Sequence, residues 1–243
     1  MGNTTELRGL NFDFSAGEVL LVDKPLNWTS FNVVAKLKYR IKPAKKIGHA
    51  GTLDPLATGL LIICTGKKTK EIETYMGQTK EYTGIIQLGV ITPSYDYETE
   101  PLEYREFDHI QEEDVRNAIA ANFVGEIEQT PPVFSAIKVD GKRSYDLARK
   151  GEALELKKRK ITVNSFEITQ FDFPNLHFKV VCSKGTYIRS LAHDLGQVLG
   201  CGGVLSALRR TKIGDFSVEN AWNLEELVLL LEERKLKISD ENL

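Results

Sequence analysis

Gly48-His49-Ala50-Gly51-Thr52-Leu53-Asp54-Pro55-Leu56-Ala57-Thr58-Gly59 is the stretch from which the rest of the chain is read. Three glycines, a proline and two threonines in so short a run mark a shaped loop, not a helix or a strand. One imidazole, His49, and one carboxylate, Asp54, sit inside it. Gly59 leads straight into the apolar run Leu60-Leu61-Ile62-Ile63-Cys64, which reads as a buried strand. A loop pinned to such a strand holds a carboxylate at a fixed address while leaving it reachable by substrate. Local chemistry alone also allows an ordinary Asp-Pro turn, with the carboxylate bonded to neighbouring amides.

Working outward, 243 residues with 42% hydrophobic and 27% charged composition describe an ordinary globular protein able to bury a sizeable core. The longest apolar runs are about five residues, far short of a membrane span. The polar N-terminal stretch from Met1 to Glu18 has no signal-peptide layout. Cys64, Cys182 and Cys201 are widely spaced and form no CxxC, so they read as reduced core thiols of a cytoplasmic protein. The four histidines and three cysteines show no metal-ligand spacing, and the expectation is no metal and no cofactor.

Net charge is −2, but the charge is segregated. Lys24 to Leu53 carries seven basic residues and no acid, and Lys138 to Lys160 carries nine basic against four acidic. Glu98 to Glu128 carries ten acids against Arg105 and Arg116. That distribution suits one face for a polyanion and another for solvent, although charge blocks are often just solvated faces.

In chain order, Glu18 to Val22 reads as a strand stopped by Pro25 and Asn27. Thr29 or Ser30 caps a helix running through Phe31, Val34, Leu37 and Ile41. Lys67 to Met76 is a short helix; Thr65-Gly66-Lys67-Lys68-Thr69 before it is not a phosphate loop, because Leu61 stands where the first glycine belongs. Lys80 to Val90 alternates as a strand, and Gln111 to Phe123 is an amphipathic helix. Gly125 to Gly151 lacks a regular period, and Pro131-Pro132 excludes a central strand there. A structureless run of that length is functional or disordered. Its basic residues, Lys138, Lys142 and Arg143 among them, interleave with Phe134 and Tyr145, which suits a flap closing on RNA. Lys160 to Phe173 and Leu176 to Cys182 form a hairpin joined at Pro174-Asn175. A helix starts near Arg189 and runs to about Leu199, and Asn223 to Glu233 is a capped helix. Arg209 and Arg210 read as phosphate contacts.

Four stretches together resemble the TruB family of tRNA pseudouridine synthases: Gly48 to Gly59, Lys80-Glu81-Tyr82, Ser183-Lys184-Gly185-Thr186-Tyr187-Ile188-Arg189-Ser190-Leu191, and Cys201 to Arg210. The resemblance covers roughly Gly17 to Asp215. It implies an α/β (α+β) pseudouridine synthase fold with a mixed, mostly antiparallel central sheet flanked by helices. It implies a catalytic domain over residues 1–215, a thumb insertion at about 125–151, and a short helical extension over 216–243 with no room for a PUA domain. Asp54 is then the catalytic carboxylate and Arg189 the guanidinium that holds it ionised and oriented. Tyr82 lies against the target base, Tyr187 packs beneath it and Leu208 completes the apolar wall. His49 occupies the place the flipped base leaves, and Lys24 orders the active-site strand. The implied substrate is the T stem-loop of tRNA, whose uridine-55 is flipped out before its glycosidic bond breaks. Attack of Asp54 on C1′, attack on C6, and departure without a covalent bond all remain open. So do a tRNA-folding helper that pries open the elbow and a synthase for another RNA. The expectation is a monomer with no membrane partner.

Overall fold

The computed structural model describes residues 12–14, 16–41, 46–135, 137–139, 142–144, 147 and 156–240. The chain divides into two units, residues 1–78 with 210–243, and residues 79–209.

The first unit is built on the apolar run that follows the Asp54 loop. Strand β1 (Val19–Lys24), helix α1 (Ser30–Lys38), β2 (Ile47–His49) and β3 (Ala57–Thr65) come first. β3 pairs antiparallel with β1, Val19 opposite Cys64 through Lys24 opposite Gly59. Leu60 to Cys64 are wholly buried. A strand covered on both faces needs continuous rather than alternating apolarity, which is what this run supplies. Leu61 and Ile63 face a core that includes Val33, Val34 and Leu37 of α1, whereas Leu60, Ile62 and Cys64 face Ala50, Ile213 and Val218. The cap of α1 is Thr29, whose hydroxyl accepts from the Asn32 amide at 3.0 Å, while the Asn32 side chain accepts from the Thr29 amide at 3.1 Å. A 3₁₀ turn (Gly66–Glu71) and the short helix α2 (Ile72–Gly77) follow β3, where a single helix was expected.

The second unit is an antiparallel sheet. In chain order come β4 (Lys80–Leu88), the short pair β5 (Val90–Ile91) and β6 (Glu103–Tyr104), which form a two-stranded sheet of their own, and β7 (Gly125–Gln129) after helix α3 (Glu112–Asn122). A two-residue hairpin, β8 (Lys138–Val139) with β9 (Lys142–Arg143), precedes the long β10 (Arg159–Asp172) and β11 (Asn175–Cys182). Helix α4 (Ile188–Val198) and β12 (Gly203–Ile213) complete it, with β12 passing into the first unit at Arg210. The order is β12-β4-β11-β10-β7. The β10–β11 hairpin turns at Pro174, as expected. One expectation fails here: Gly125 to Gln129 is not part of a loop but the edge strand paired with β10, Gln129 opposite Arg159. The pairing is supplied by β10, not by any strong pattern in Gly-Glu-Ile-Glu-Gln itself.

Back in the first unit, β13 (Phe216–Ser217) pairs with the end of β12, and β14 (Trp222–Asn223) lies parallel to β1. Helix α5 (Leu224–Asp240) is capped by Asn223, whose side chain accepts from the amides of Glu225 and Glu226. Leu224, Leu227, Val228 and Leu231 cover the same face of β1 and β3 as α1. The fold is thus mixed α/β, a mostly antiparallel sheet flanked by helices. Among the described residues no helix is long and apolar enough to cross a membrane.

Candidate active site

Asp54 is half-buried on a loop whose backbone is held on every side. The Ser30 hydroxyl accepts from the Leu53 amide at 2.9 Å and donates to the Leu53 carbonyl at 3.3 Å, pinning the residue just before the carboxylate. Behind Asp54, the Pro55 carbonyl accepts from the Asn27 amide at 2.9 Å and from Lys24 Nζ at 3.4 Å. The Asp54 carbonyl accepts from the Ala57 amide at 3.1 Å, which closes the turn into β3. Each of these bonds holds a backbone group of the loop.

Two buried cations complete this frame. Lys24 Nζ also donates to the carbonyls of Trp28 and Pro25, at 2.5 and 3.0 Å. Burial pulls its pKa down to about 8, against the attraction of Asp54 and with the repulsion of Arg210. The three carbonyl partners of Lys24 lie at the end of β1 and in the turns that follow. Arg210 was read as a phosphate contact, and the structure overturns that: it is 1% exposed. Its guanidinium donates instead to the carbonyls of Leu60, Gly51 and Thr52. His49, on the edge strand β2 opposite Ile63, is half-buried. Burial first, then the Arg210 charge, push its imidazole below the usual range, against a backbone hydrogen bond with Gly51. A neutral, flat ring is the result.

In the second unit Arg189 opens α4 and is buried. Its two terminal nitrogens donate to the carbonyls of Ser94 and Phe134 at 3.0 and 2.9 Å, and Nε lies 3.7 Å from the equally buried Asp96 carboxylate. Sequence reasoning missed Asp96, which has no motif neighbour to mark it. Tyr82 is almost buried on β4 opposite Val180. The Tyr187 backbone is clasped by the Gln129 side chain, which accepts from its amide at 2.8 Å and donates to its carbonyl at 3.0 Å. The Arg159 guanidinium stands 5.1 Å over the Tyr187 ring. Leu208 is half-buried on β12. The backbones of Lys138, Lys142 and Arg143 form the β8–β9 ladder, Lys138 opposite Arg143. Their side chains, and Tyr145 altogether, lie outside the described residues.

The first unit thus sets Lys24 near Asp54 and places the Arg210 charge beside both Lys24 and His49, and the second joins Arg189 to Phe134 of the expected flap. A family model for the N-terminal domain of TruB family pseudouridylate synthases matches residues 38–188, a span containing the Asp54 loop and Tyr82. The chain belongs to the TruB family. A second TruB model, for the C-terminal domain of tRNA pseudouridylate synthase B, matches residues 189–241. The tRNA pseudouridine synthase B of Flavobacterium johnsoniae is 55% identical over 215 residues, covering 86% of this chain and 93% of that one. That of Bacteroides fragilis is 48% identical over 233 residues, covering 94% and 100%. Among solved structures, a Cbf5-Nop10-Gar1 complex matches at TM-score 0.69 and 30% identity, over 88% of this chain and 54% of that one. An H/ACA RNP bound to a substrate RNA containing 2′-deoxyuridine matches at TM-score 0.66 and 27% identity, over 93% and 55%. This TruB chain therefore spans about half the length of each of these two structures, and nearly all of these two bacterial relatives.

Proposed function

We propose that this chain is a tRNA pseudouridine synthase that isomerises uridine-55 of the T loop, with Asp54 as the group that acts on the flipped uridine. The observation that carries the reading is the Asp54 loop itself. Ser30, Lys24 and the Asn27 amide fix the residues on either side of one carboxylate. A preset nucleophile or charge-stabilising group gains its advantage from such fixing, because the enzyme need not reorganise when charge develops.

The chemistry balances without an oxidant, a reductant or a group donor. The N1–C1′ bond breaks, uracil turns within the site, and C5 bonds to C1′. The C5 hydrogen leaves as a proton and N1, freed from the sugar, gains one, so the product is an isomer. Asp54 serves this by bonding C1′, by bonding C6, or by stabilising the parted sugar. Tyr82 and Tyr187 supply flat faces for the unstacked base, with Leu208 as the apolar wall that keeps water from the cleaved intermediate. His49, held neutral, takes the base's vacated place in the loop. Lys138, Lys142 and Arg143 meet the RNA backbone as part of the thumb. The enzyme acts as a cytoplasmic monomer on tRNA.

The test is tritium release from [5-³H]uridine-labelled tRNA, comparing the unaltered chain with Asp54→Asn, and an unaltered transcript with one carrying cytidine at position 55. Release only from the unaltered pair, with Asp54→Asn still binding tRNA, is the expected result. Release from both transcripts removes the site assignment. No release with intact binding moves a tRNA-folding role to the front.

A further inference from the structure

We propose that Arg210 is a positioning residue for Asp54: a buried guanidinium that fixes the Gly48–Gly59 loop by gripping backbone carbonyls on both sides of the carboxylate. The inference rests on the reading of Asp54 given above. Arg210 Nε donates to the Leu60 carbonyl at 2.8 Å, past the end of the loop. Its terminal nitrogens reach the carbonyls of Gly51 and Thr52, ahead of Asp54, at 3.2 and 3.5 Å. One rigid fork thus ties the entry of the loop to its exit.

Two glycines of the loop are explained by the same contact. Gly59 has φ +104°, and a Cβ there falls 2.3 Å from the Arg210 carbonyl oxygen and 2.7 Å from its amide nitrogen. Only a residue without a side chain lets the β12 backbone come close enough to deliver the guanidinium. Gly51, at φ +98°, turns its carbonyl toward that guanidinium, and a Cβ there meets Arg210 Nη1 at 3.6 Å. Lysine cannot substitute for this fork, because a single ammonium does not span carbonyls that diverge in this way. The hydrogen bonds of Arg210 all go to backbone carbonyls around Asp54, so its positioning effect on the reaction is exerted through the loop that carries Asp54. Its charge also acts on the neighbouring His49 and Lys24, opposing protonation of both.

Arg210→Lys and Arg210→Gln test this with three readouts. The first is amide hydrogen exchange of the peptide spanning Gly48–Gly59 in the free protein. The second is the single-turnover rate of tritium release with enzyme in excess, and the third is the Kd for the same tRNA. Exchange in the loop is expected to quicken at least tenfold in both variants, with β1 and β4 still protected. The isomerisation rate is expected to fall about a hundredfold, the penalty typical of a displaced catalytic group, with Kd within threefold. Unchanged loop exchange with a rate within threefold of the parent overturns the proposal. So does loss of protection across every strand with the rate falling and Kd rising together, because Arg210 is then a general stabiliser. If the parent chain releases no tritium, the functional reading fails, and loop exchange alone decides whether Arg210 is the brace.

Discussion

Gly59→Ala probes the closest approach in the Asp54 frame. At φ +104° the added Cβ first meets the ordinary penalty of a left-handed residue, about 1–2 kcal/mol. It then overlaps the carbonyl oxygen of Arg210 at 2.3 Å and its amide nitrogen at 2.7 Å. Neither atom belongs to a side chain that can swing away, so β12 must retreat from β3 by roughly an ångström. Overpacking of that kind costs about 1–3 kcal/mol. The sum is about 2–5 kcal/mol, a large share of a stability of about 5–15 kcal/mol. With an unfolding entropy near 0.5 kcal/mol/K for 243 residues, Tm falls about 4–10 °C. The control is Gly77→Ala at the end of α2, where no atom lies within 4 Å of an added Cβ. There alanine gains about 0.4–1 kcal/mol by restricting the unfolded chain. Calorimetry on both variants checks the signs, and tritium release checks that Gly59→Ala loses activity below its melting range. A Gly59→Ala protein melting within 1 °C of the parent refutes the reasoning, since it means the strands have room that the geometry denies them.

Ser30→Ala removes both hydrogen bonds to Leu53 and leaves a buried amide without its partner, at about 1–3 kcal/mol. Single-turnover isomerisation is expected to drop while tRNA affinity holds; equal losses in both would place Ser30 in general stability instead. Asp194→Asn addresses pH. Burial raises the Asp194 carboxyl from 3.8 to about 6, against the pull of Lys158. The folded state therefore binds its proton before the unfolded state does, and the burden of the buried carboxylate is full above pH 6 and relieved as pH falls toward 3.8. Asparagine, neutral throughout, is expected to raise Tm at pH 7–8, with the gain shrinking between pH 6 and 4. A gain that is flat with pH, measured by melting at unit intervals, excludes this cause.

How much of this was legible in the sequence depended on whether a residue's surroundings were local. The Asp54 loop declared itself through glycine and proline, and β3 through an unbroken apolar run. The caps at Thr29 and Asn223 needed only their near neighbours. Strand β7 stayed hidden because Gly125–Gln129 offers one apolar side chain, Ile127, and takes its conformation from β10 more than thirty residues later. The strand character of β12 was masked by Arg209, Arg210 and Lys212, which look like surface charge. Arg210 in particular bonds carbonyls about 150 positions away. No pattern in one dimension marks a convergence of that kind, nor the pairing of Asp96 with Arg189 across 93 positions.

The two cations behind the loop also bear on what the fold is for. Lys24 and Arg210 are 0% and 1% exposed, and their hydrogen bonds go to carbonyls. Desolvating a cation costs several kcal/mol, and well-packed apolar residues in such places are often neutral or stabilising by comparison. Stability alone gives little reason for two of them within one loop's reach. Their carbonyl partners are those of Pro25, Trp28, Gly51, Thr52, Pro55 and Leu60, the backbone running up to and away from Asp54. The Asp54 charge holds up the Lys24 pKa against its burial. Bonds to carbonyls fix the chain trace directly. On the proposed reading, a carboxylate held this way is ready before the uridine arrives, the condition for catalysis by a preset group.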